Sequence, residues 1–165
     1  MTHLSLCHLA VAIFTAAAAW VPITASRAED AAAEKAIVFV CLHGVVNSQM
    51  AAAYFNKVAK ERGLPFTAVS RGIDMYWTIP VRIQDGLALD GLEPANVPNA
   101  LNAYEASHAS RVLAFDPIPA EQRGDAEVTY WPGVPLSIQD YEAARDEIAR
   151  RVDALIPTLA DERTK

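Results

Sequence analysis

The stretch Lys35-Ala-Ile-Val-Phe-Val-Cys-Leu-His-Gly-Val-Val-Asn-Ser-Gln-Met-Ala51 joins a strand pattern directly to a helix pattern. Residues 35–40 form an apolar, β-branched run after one lysine, which is typical of a strand buried on both faces. Residues 49–62 place apolar side chains on one stripe and end at Gly63, which predicts an amphipathic helix. The stretch therefore predicts the opening of an α/β domain.

The rest of the chain repeats this alternation. Further strands are predicted at Phe66–Ser70, Arg111–Phe115 and Val128–Tyr130, and further helices at Ile79–Leu92, Ala100–Ser107 and from Ser137 onward. Arg71-Gly72 is interpreted as a turn, Ser137 and Asp140 as a capping box, and Pro157 as the end or a kink of the last helix. Alternating strands and helices predict a three-layer α/β fold, with a four-stranded parallel sheet flanked by helices.

Composition limits the class of protein. The 165 residues, 52% hydrophobic and 21% charged, suffice for one domain. The net charge of -6 provides no basic surface, so no nucleic-acid partner is expected. No His, Cys and Asp cluster has metal-ligand spacing, and neither a metal nor another cofactor is expected.

The N-terminus resembles an export signal. Residues 4–20 are uncharged and largely apolar, and Ser26-Arg27-Ala28 places small residues where a signal peptidase inspects the chain. We predict a signal peptide over 1–28 cleaved after Ala28, a linker over 29–35, a domain over 36–165, and a periplasmic or secreted location. The alternative is an uncleaved membrane anchor, because the segment before the apolar run contains no Lys or Arg.

Cys41 ends the first strand, and Ser48 opens the following helix. Backbone N–H groups of such a loop and the helix N-terminus both favour negative charge, and they would favour the thiolate form of a thiol that points into the loop. The candidate anion-binding residues of the loop are His43, Gly44, Val45, Val46, Asn47 and Ser48. Cleavage after Ala28 would also remove Cys7, so no internal disulfide is expected, and Cys41 has the alternative of being a small buried apolar residue.

The pattern resembles the low-molecular-weight phosphotyrosine phosphatases and the arsenate reductases that share their fold. Their signature is a Cys, five residues and Arg-Ser after a hydrophobic strand, and it is matched here by Cys41, Ser48, Gln49, Met50 and Ala51. Ser70-Arg71-Gly72 and Trp131-Pro132 are similar to later family features. The resemblance implies that Cys41 is a nucleophile, that residues 43–48 bind phosphate, that Ser48 bonds toward the thiolate, and that Ser70 supports the loop.

The departures from the family fall at the positions to which the resemblance assigns catalytic roles. Asn47 stands where the family has an Arg, which removes a charged bidentate donor for phosphoryl oxygens. Val134-Pro135 stands where the family has its general-acid Asp and Pro, while Asp116-Pro117 reproduces that dipeptide earlier in the chain. Asp116 is therefore a candidate acid, and Arg71 is the candidate to replace the missing positive charge.

Two functions follow from this pattern. The favoured one is a catalytically impaired relative that binds a phosphate-like anion or a partner protein through the Cys41 loop. The alternative is a slow cysteine-dependent hydrolase of phosphomonoesters or phosphotyrosine. Intramolecular thiol-linked arsenate reduction is excluded, because no second thiol would remain after leader cleavage to form the relay disulfide.

Overall fold

The computed structural model describes residues 36–161, with side chains described as far as residue 159. The predicted signal peptide and linker lie outside the described residues. The helices and strands, in chain order, are β1 Ala36–Cys41, α1 Asn47–Glu61, β2 Thr67–Gly72, α2 Val81–Leu89, α3 Ala103–His108, β3 Arg111–Ala114, α4 Ala120–Arg123, β4 Val128–Tyr130 and α5 Tyr141–Asp161. In this part of the chain, no helix is both long and apolar enough to cross a membrane.

The four strands form one parallel sheet in the order β2-β1-β3-β4. Strand β1 is central, and alternate side chains enter two cores because successive residues of a strand face opposite sides. Ile37 and Phe39 pack with α1, α2 and α5, whereas Val38 and Val40 pack with α3 on the other face. The predicted three-layer α/β fold and its buried first strand are confirmed.

The outer edge of β2 is closed by side-chain amides. Asn56 donates to the carbonyl of Ala68 and accepts from its N–H, at 3.0 and 2.7 Å. Asn96 does the same for Ser70, at 3.2 and 2.7 Å. An edge strand presents unpaired backbone groups that can template aggregation, so these carboxamides act as substitutes for a fifth strand.

Several predicted boundaries are wrong. Arg71-Gly72 is the end of β2 and not a turn, and α4 lies in a stretch for which no helix was predicted. Helix α5 begins at Tyr141, because the side chain of Asp140, and not that of Ser137, accepts from a first-turn N–H, that of Ala143 at 3.1 Å. Pro157 lies inside α5, which continues to Asp161.

Helices α2 and α5 touch at Gly86, against the ring of Tyr141. The hydroxyls of Tyr141 and Tyr54 both donate to Asp90 Oδ2, at 2.8 and 2.6 Å. Burial, and then the hydrogen bond to Asp90, raise the pKa of both tyrosines well above the usual range, so both remain protonated donors. The Tyr141 ring is therefore held by packing against Gly86 and by the hydrogen bond of its hydroxyl.

We predict that Gly86→Ala destabilises the fold. A Cβ at this position would lie 2.2 Å from Tyr141 Cε2. Alanine gains about 0.5–1 kcal/mol over glycine inside a helix, but overpacking against a fixed ring costs about 1–3 kcal/mol. Urea denaturation should show a lower free energy of unfolding, whereas Leu89→Ala, on the exposed side of α2, should change it by under about 0.5 kcal/mol. A more stable Gly86→Ala protein would contradict this packing.

Candidate functional site

The candidate site is the connection from β1 to α1, residues 41–48, at the carboxyl end of the central strand. Ligands of open α/β sheets bind at this edge, where loops from neighbouring strands meet. Cys41 is 3% exposed, and its Sγ lies 2.9 Å from Ser48 Oγ. The sulfur therefore faces a polar group and is not sealed in hydrocarbon.

The loop directs its carbonyl groups toward the segment that follows β2 and toward β2 itself. The accepted hydrogen bonds are Ile73 N–H and Asp74 N–H to Leu42 O at 2.9 and 2.8 Å, Tyr76 N–H to His43 O at 3.0 Å, and Ser70 Oγ to Gly44 O at 3.1 Å. In a trans peptide the N–H points opposite to the C=O of the same unit, and no cis peptide occurs in the described residues. The N–H groups of residues 43–45 therefore point away from these partners.

The first turn of α1 adds further free donors. The residue before the helix, Val46, provides no side-chain cap, so the N–H groups of residues 47–49 keep the unpaired state of a helix start. Among the described residues, no group accepts from the N–H groups of residues 43–49. The loop and the helix start together present a set of unpaired donors, which suits an anion.

Gly44 and Gly72 allow this geometry. Gly44 has φ +67°, and a Cβ there would lie 2.6 Å from Gly72 N. A Cβ on Gly72 would lie 2.9 Å from the carbonyl carbon of His43. The loop and the end of β2 can approach only where both residues lack a side chain.

A chain of hydroxyls supports the sulfur. Ser48 Oγ lies 2.9 Å from Cys41 Sγ and 2.8 Å from Ser70 Oγ, and Ser70 Oγ is also 3.1 Å from Gly44 O. The chain has two consistent polarities: the thiol donates toward Gly44 O through both serines, or both serines donate toward a thiolate. Ser48 does not open the helix as predicted, since α1 begins at Asn47, one residue earlier.

Asn47 binds protein backbone on both sides of Leu136. Its Nδ2 donates to Pro135 O at 3.0 Å, and its Oδ1 accepts from Ser137 N–H at 2.8 Å. The side chain is 4% exposed, so both ends of the carboxamide are used inside the protein. We call this pair of hydrogen bonds the Asn47 clamp. The expectation that the Asn47 side chain helps to bind an anion is not supported by this geometry.

Arg71 does not replace the missing cation. Ser70 and Arg71 are neighbours in β2, so their side chains face opposite sides of the sheet, and the loop lies on the side of Ser70. Arg71 Nε donates to Glu105 Oε2 at 2.7 Å, and Nη1 donates to Ser70 O at 2.8 Å. The prediction for Arg71 is wrong because the turn expected at this position is part of the strand.

The other predicted loop residues contribute mainly backbone. His43 Nδ1 is 2.8 Å from Asp74 O, and the ring stacks on Tyr76 at 3.8 Å, so this imidazole is directed to the segment after β2. Val45 is buried, and Val46 packs against the larger core. Both valines therefore anchor the loop and leave their N–H groups as the parts able to meet a ligand.

Asp116 reaches the loop from the end of β3. Its Oδ2 accepts from the N–H of Leu42 at 2.8 Å. The carboxylate is therefore at the start of the loop, although its sequence position differs from that of the family acid. Near the position expected for that acid, the carbonyl of Pro135 is bound in the Asn47 clamp, and Val134 packs against the core.

Gln49 has a positioning role that the motif match alone did not reveal. It is fully buried, its Nε2 donates to Asn96 O at 3.0 Å, and its Oε1 accepts from Ala95 N–H at 3.0 Å. Asn96 in turn holds Ser70, so Gln49 connects α1 to the support of the sulfur. The sequence signal that could have indicated this role was a polar glutamine on the buried face of a helix. Among the side chains described, those of residues 36–159, no three of His, Cys, Asp or Glu are grouped to hold a metal.

Comparison with known proteins identifies the fold. No family model and no curated protein matches the chain. YwlE arginine phosphatase from Geobacillus stearothermophilus is 24% identical over 79% of this chain and 96% of its own, with a TM-score of 0.66. A low-molecular-weight protein tyrosine phosphatase from Bacillus subtilis is 23% identical over 78% of this chain and 99% of its own, with a TM-score of 0.64.

An arsenate reductase from Archaeoglobus fulgidus is 24% identical over 73% of this chain and 98% of its own, with a TM-score of 0.57. Each of these three likenesses covers nearly the whole of the neighbour's own chain, so the likeness is one of overall fold. The chain therefore has the fold of the low-molecular-weight protein tyrosine phosphatases and of arsenate reductase.

Proposed function

We propose that the protein is an exported relative of these phosphatases whose Cys41 loop binds an oxyanion, free or carried by a partner, and is impaired in phosphomonoester hydrolysis. The observation that carries the proposal is the Asn47 clamp. Asn47 stands where the resemblance expects an arginine, and its carboxamide bonds Pro135 and Ser137 instead of facing the loop.

Anion binding is supported by the backbone of the loop. The carbonyls of residues 42–44 are bound elsewhere in the protein, and the N–H groups of residues 43–49 have no partner in the described part of the chain. Unpaired donors at a helix start attract negative charge without any charged side chain. This property survives the replacement of the family arginine by Asn47.

Impaired hydrolysis is supported by the lack, among the described residues, of an arginine or lysine side chain that hydrogen-bonds to the loop. Arg71, the candidate replacement, is paired with Glu105 on the other face of the sheet. Removing one preorganised donor to a developing oxyanion costs about 100- to 1000-fold in rate, and a charged donor contributes more than a neutral one. Val134-Pro135 in addition contains no group that can protonate a leaving oxygen.

A slow hydrolase is the second candidate, favoured by two contacts. Ser48 Oγ lies against Cys41 Sγ, and the Asp116 carboxylate lies at Leu42. In this reaction the thiolate attacks phosphorus and the bond to the leaving oxygen or nitrogen breaks. Asp116 is the candidate that gives a proton to the leaving group and then takes one from the water that cleaves the S–P bond, which returns Cys41 as the thiolate. Since YwlE is named an arginine phosphatase, phosphoarginine joins aryl phosphates as a substrate class to test.

The first test separates binding from turnover. We expect the wild type and Cys41→Ser to hydrolyse p-nitrophenyl phosphate at the same background rate, while both shift the amide NMR signals of residues 43–49 on addition of inorganic phosphate. Wild-type turnover that Cys41→Ser abolishes would establish the hydrolase instead. No phosphate-induced shift in residues 43–49 would contradict the proposed function altogether.

The second test introduces an arginine at position 47, where the resemblance expects one. We expect Asn47→Arg to bind inorganic phosphate about 10- to 100-fold more tightly than Asn47→Leu, because a hydrogen bond to a charged group is worth about 1.5–3 kcal/mol. Both variants lose the Asn47 clamp, so Asn47→Leu controls for that loss, and thermal unfolding of both verifies that they are folded. Equal phosphate affinity of the two folded variants would show that position 47 does not face the anion.

The third test concerns export. We propose that the leader is cleaved after Ala28, which is supported by the uncharged apolar run over 4–20 and the small residues Ser26 and Ala28. Expression of the full chain in a Gram-negative host, followed by intact-mass measurement of the periplasmic fraction, should give a protein that begins at Glu29. A membrane-bound protein that retains residues 1–28 would establish the anchor instead.

A further inference from the structure

The surface that flanks α1 has two adjoining cavities, of about 560 and 310 Å³. Glu93 and Pro94 line both of them, so the two cavities form one groove, which we call the Glu93 groove. No residue of the loop over 41–48 lines either cavity. An occupant of this groove would therefore bind outside the proposed anion site and without need of it.

The larger cavity is the apolar half of the groove. Trp77 and Val97 line it, and each of them is 83% exposed. Ile79 and Pro98 also line it, and Glu93 is the only charged residue among the described residues of its wall. A concave apolar surface that contains an exposed tryptophan is typical of a protein-binding site, because burial of such a residue supplies much of the binding free energy of an interface.

The smaller cavity is the basic half of the groove. Lys57 and Lys60 both line it, and they are neighbours on one face of α1 because they lie three residues apart. They are the only lysines between residues 36 and 159, and neither forms an ion pair in the described part of the chain. Glu93 is the only acidic residue described in this wall. This half therefore carries an excess of positive charge, although the net charge of the whole chain is -6.

The segment between the two halves is held in place by side-chain amides. Gln49, which is fully buried, accepts from Ala95 N–H and donates to Asn96 O, both at 3.0 Å. Asn96 Nδ2 in turn donates to Val97 O at 2.7 Å. A groove whose wall is already ordered loses less conformational entropy when a ligand binds, so the two halves are preorganised for binding.

We propose that the Glu93 groove binds an extended segment of a partner protein in which acidic residues adjoin large apolar residues. The acidic side chains lie at Lys57 and Lys60, and the apolar side chains pack on Trp77 and Val97. Opposite charges across an interface steer the encounter and fix the orientation of the partner. Glu93, which lines both halves, repels a carboxylate at the junction, so the acidic residues of the segment are confined to the lysine end.

The experiment compares peptides that carry the same dye and differ in one feature. The probe is Glu-Glu-Gly-Pro-Leu-Leu, made also in the reverse order because a segment can cross the groove in either chain direction. One control replaces both glutamates by lysine, and another replaces both leucines by serine. Fluorescence anisotropy titrations of the full chain should show that the probe, in one of its two orders, binds at least about tenfold more tightly than either control, a difference of about 1.4 kcal/mol. Binding of the probe should weaken as added salt screens the lysines.

Charge reversal tests the basic half of the groove. Lys57→Glu should weaken binding of the probe about three- to tenfold, because an exposed ion pair worth up to about 1 kcal/mol becomes a repulsion, and should tighten binding of the lysine control. Arg123→Glu makes the same change of charge on α4, at a residue that lines neither cavity, and should leave both affinities unchanged. Equal weakening by the two variants would show that the net charge, and not the groove, attracts the probe.

Removal of an aromatic ring tests the apolar half. Trp77→Ala should weaken binding of the probe at least about tenfold, a loss typical of a tryptophan that anchors an interface. Tyr104→Ala removes a ring that is 73% exposed on α3, outside the groove, and should leave the affinity unchanged. Thermal unfolding of both variants verifies that they are folded. An unchanged affinity of the folded Trp77→Ala protein would overturn the proposal.

Other occupants of the groove would give different results. Binding of phosphatidylglycerol vesicles that Trp77→Ala weakens, without binding of the probe, would show that the groove meets a membrane. Self-association that Trp77→Ala abolishes would assign the groove to a second copy of the chain. Probe binding only after Glu29, Asp30 and Glu34 are replaced by their amides would assign it to the chain's own acidic linker. If no peptide binds in either order, the proposal fails, while phosphate binding by residues 43–49 is tested separately and stands or falls by itself.

Discussion

The structure of the site depends on where the carbonyl groups of residues 42–44 find their partners. The segment from Ser70 to Tyr76 donates a hydrogen bond to each of these carbonyls. Because each peptide unit is planar and trans, a bound carbonyl turns the following N–H in the opposite direction. The unpaired N–H donors of the loop are therefore a consequence of how the loop is attached to β2, and their direction needs no charged side chain.

Carboxamides provide most of the other attachments. Asn56 and Asn96 close the edge of β2, Gln49 holds the backbone at Ala95 and Asn96, and Asn47 holds Pro135 and Ser137. A primary amide carries donors and an acceptor on one rigid group, so it can satisfy an N–H and a C=O of the same segment. An unsatisfied buried backbone group costs about 1–3 kcal/mol, which explains why these positions carry Asn or Gln.

The predictions from sequence succeeded where the residues of a single segment are enough to indicate its secondary structure. Strand β1 is apolar on both faces, and α1 has a clear stripe and a glycine stop, so both were located within two residues. The start of α5 was misplaced because the pattern at Ser137 and Asp140 mimics a capping box, while the backbone of Ser137 is held by Asn47 from the opposite end of the domain. Arg71 was misassigned because only the pairing of β2 with β1 shows which face its side chain takes.

The sequence by itself determined the three-layer fold, the place of Cys41 between a buried strand and a helix start, and the presence of Asn47 where the resemblance expects an arginine. These features depend on local periodicity and on residue identity. Only the tertiary structure decided that Asn47 clamps the segment before α5, that Arg71 faces Glu105 across the sheet, and that Asp116 meets the N–H of Leu42. Each of these contacts joins residues 34 or more positions apart, and their pairing is set by strand order and by the layer on which a side chain emerges.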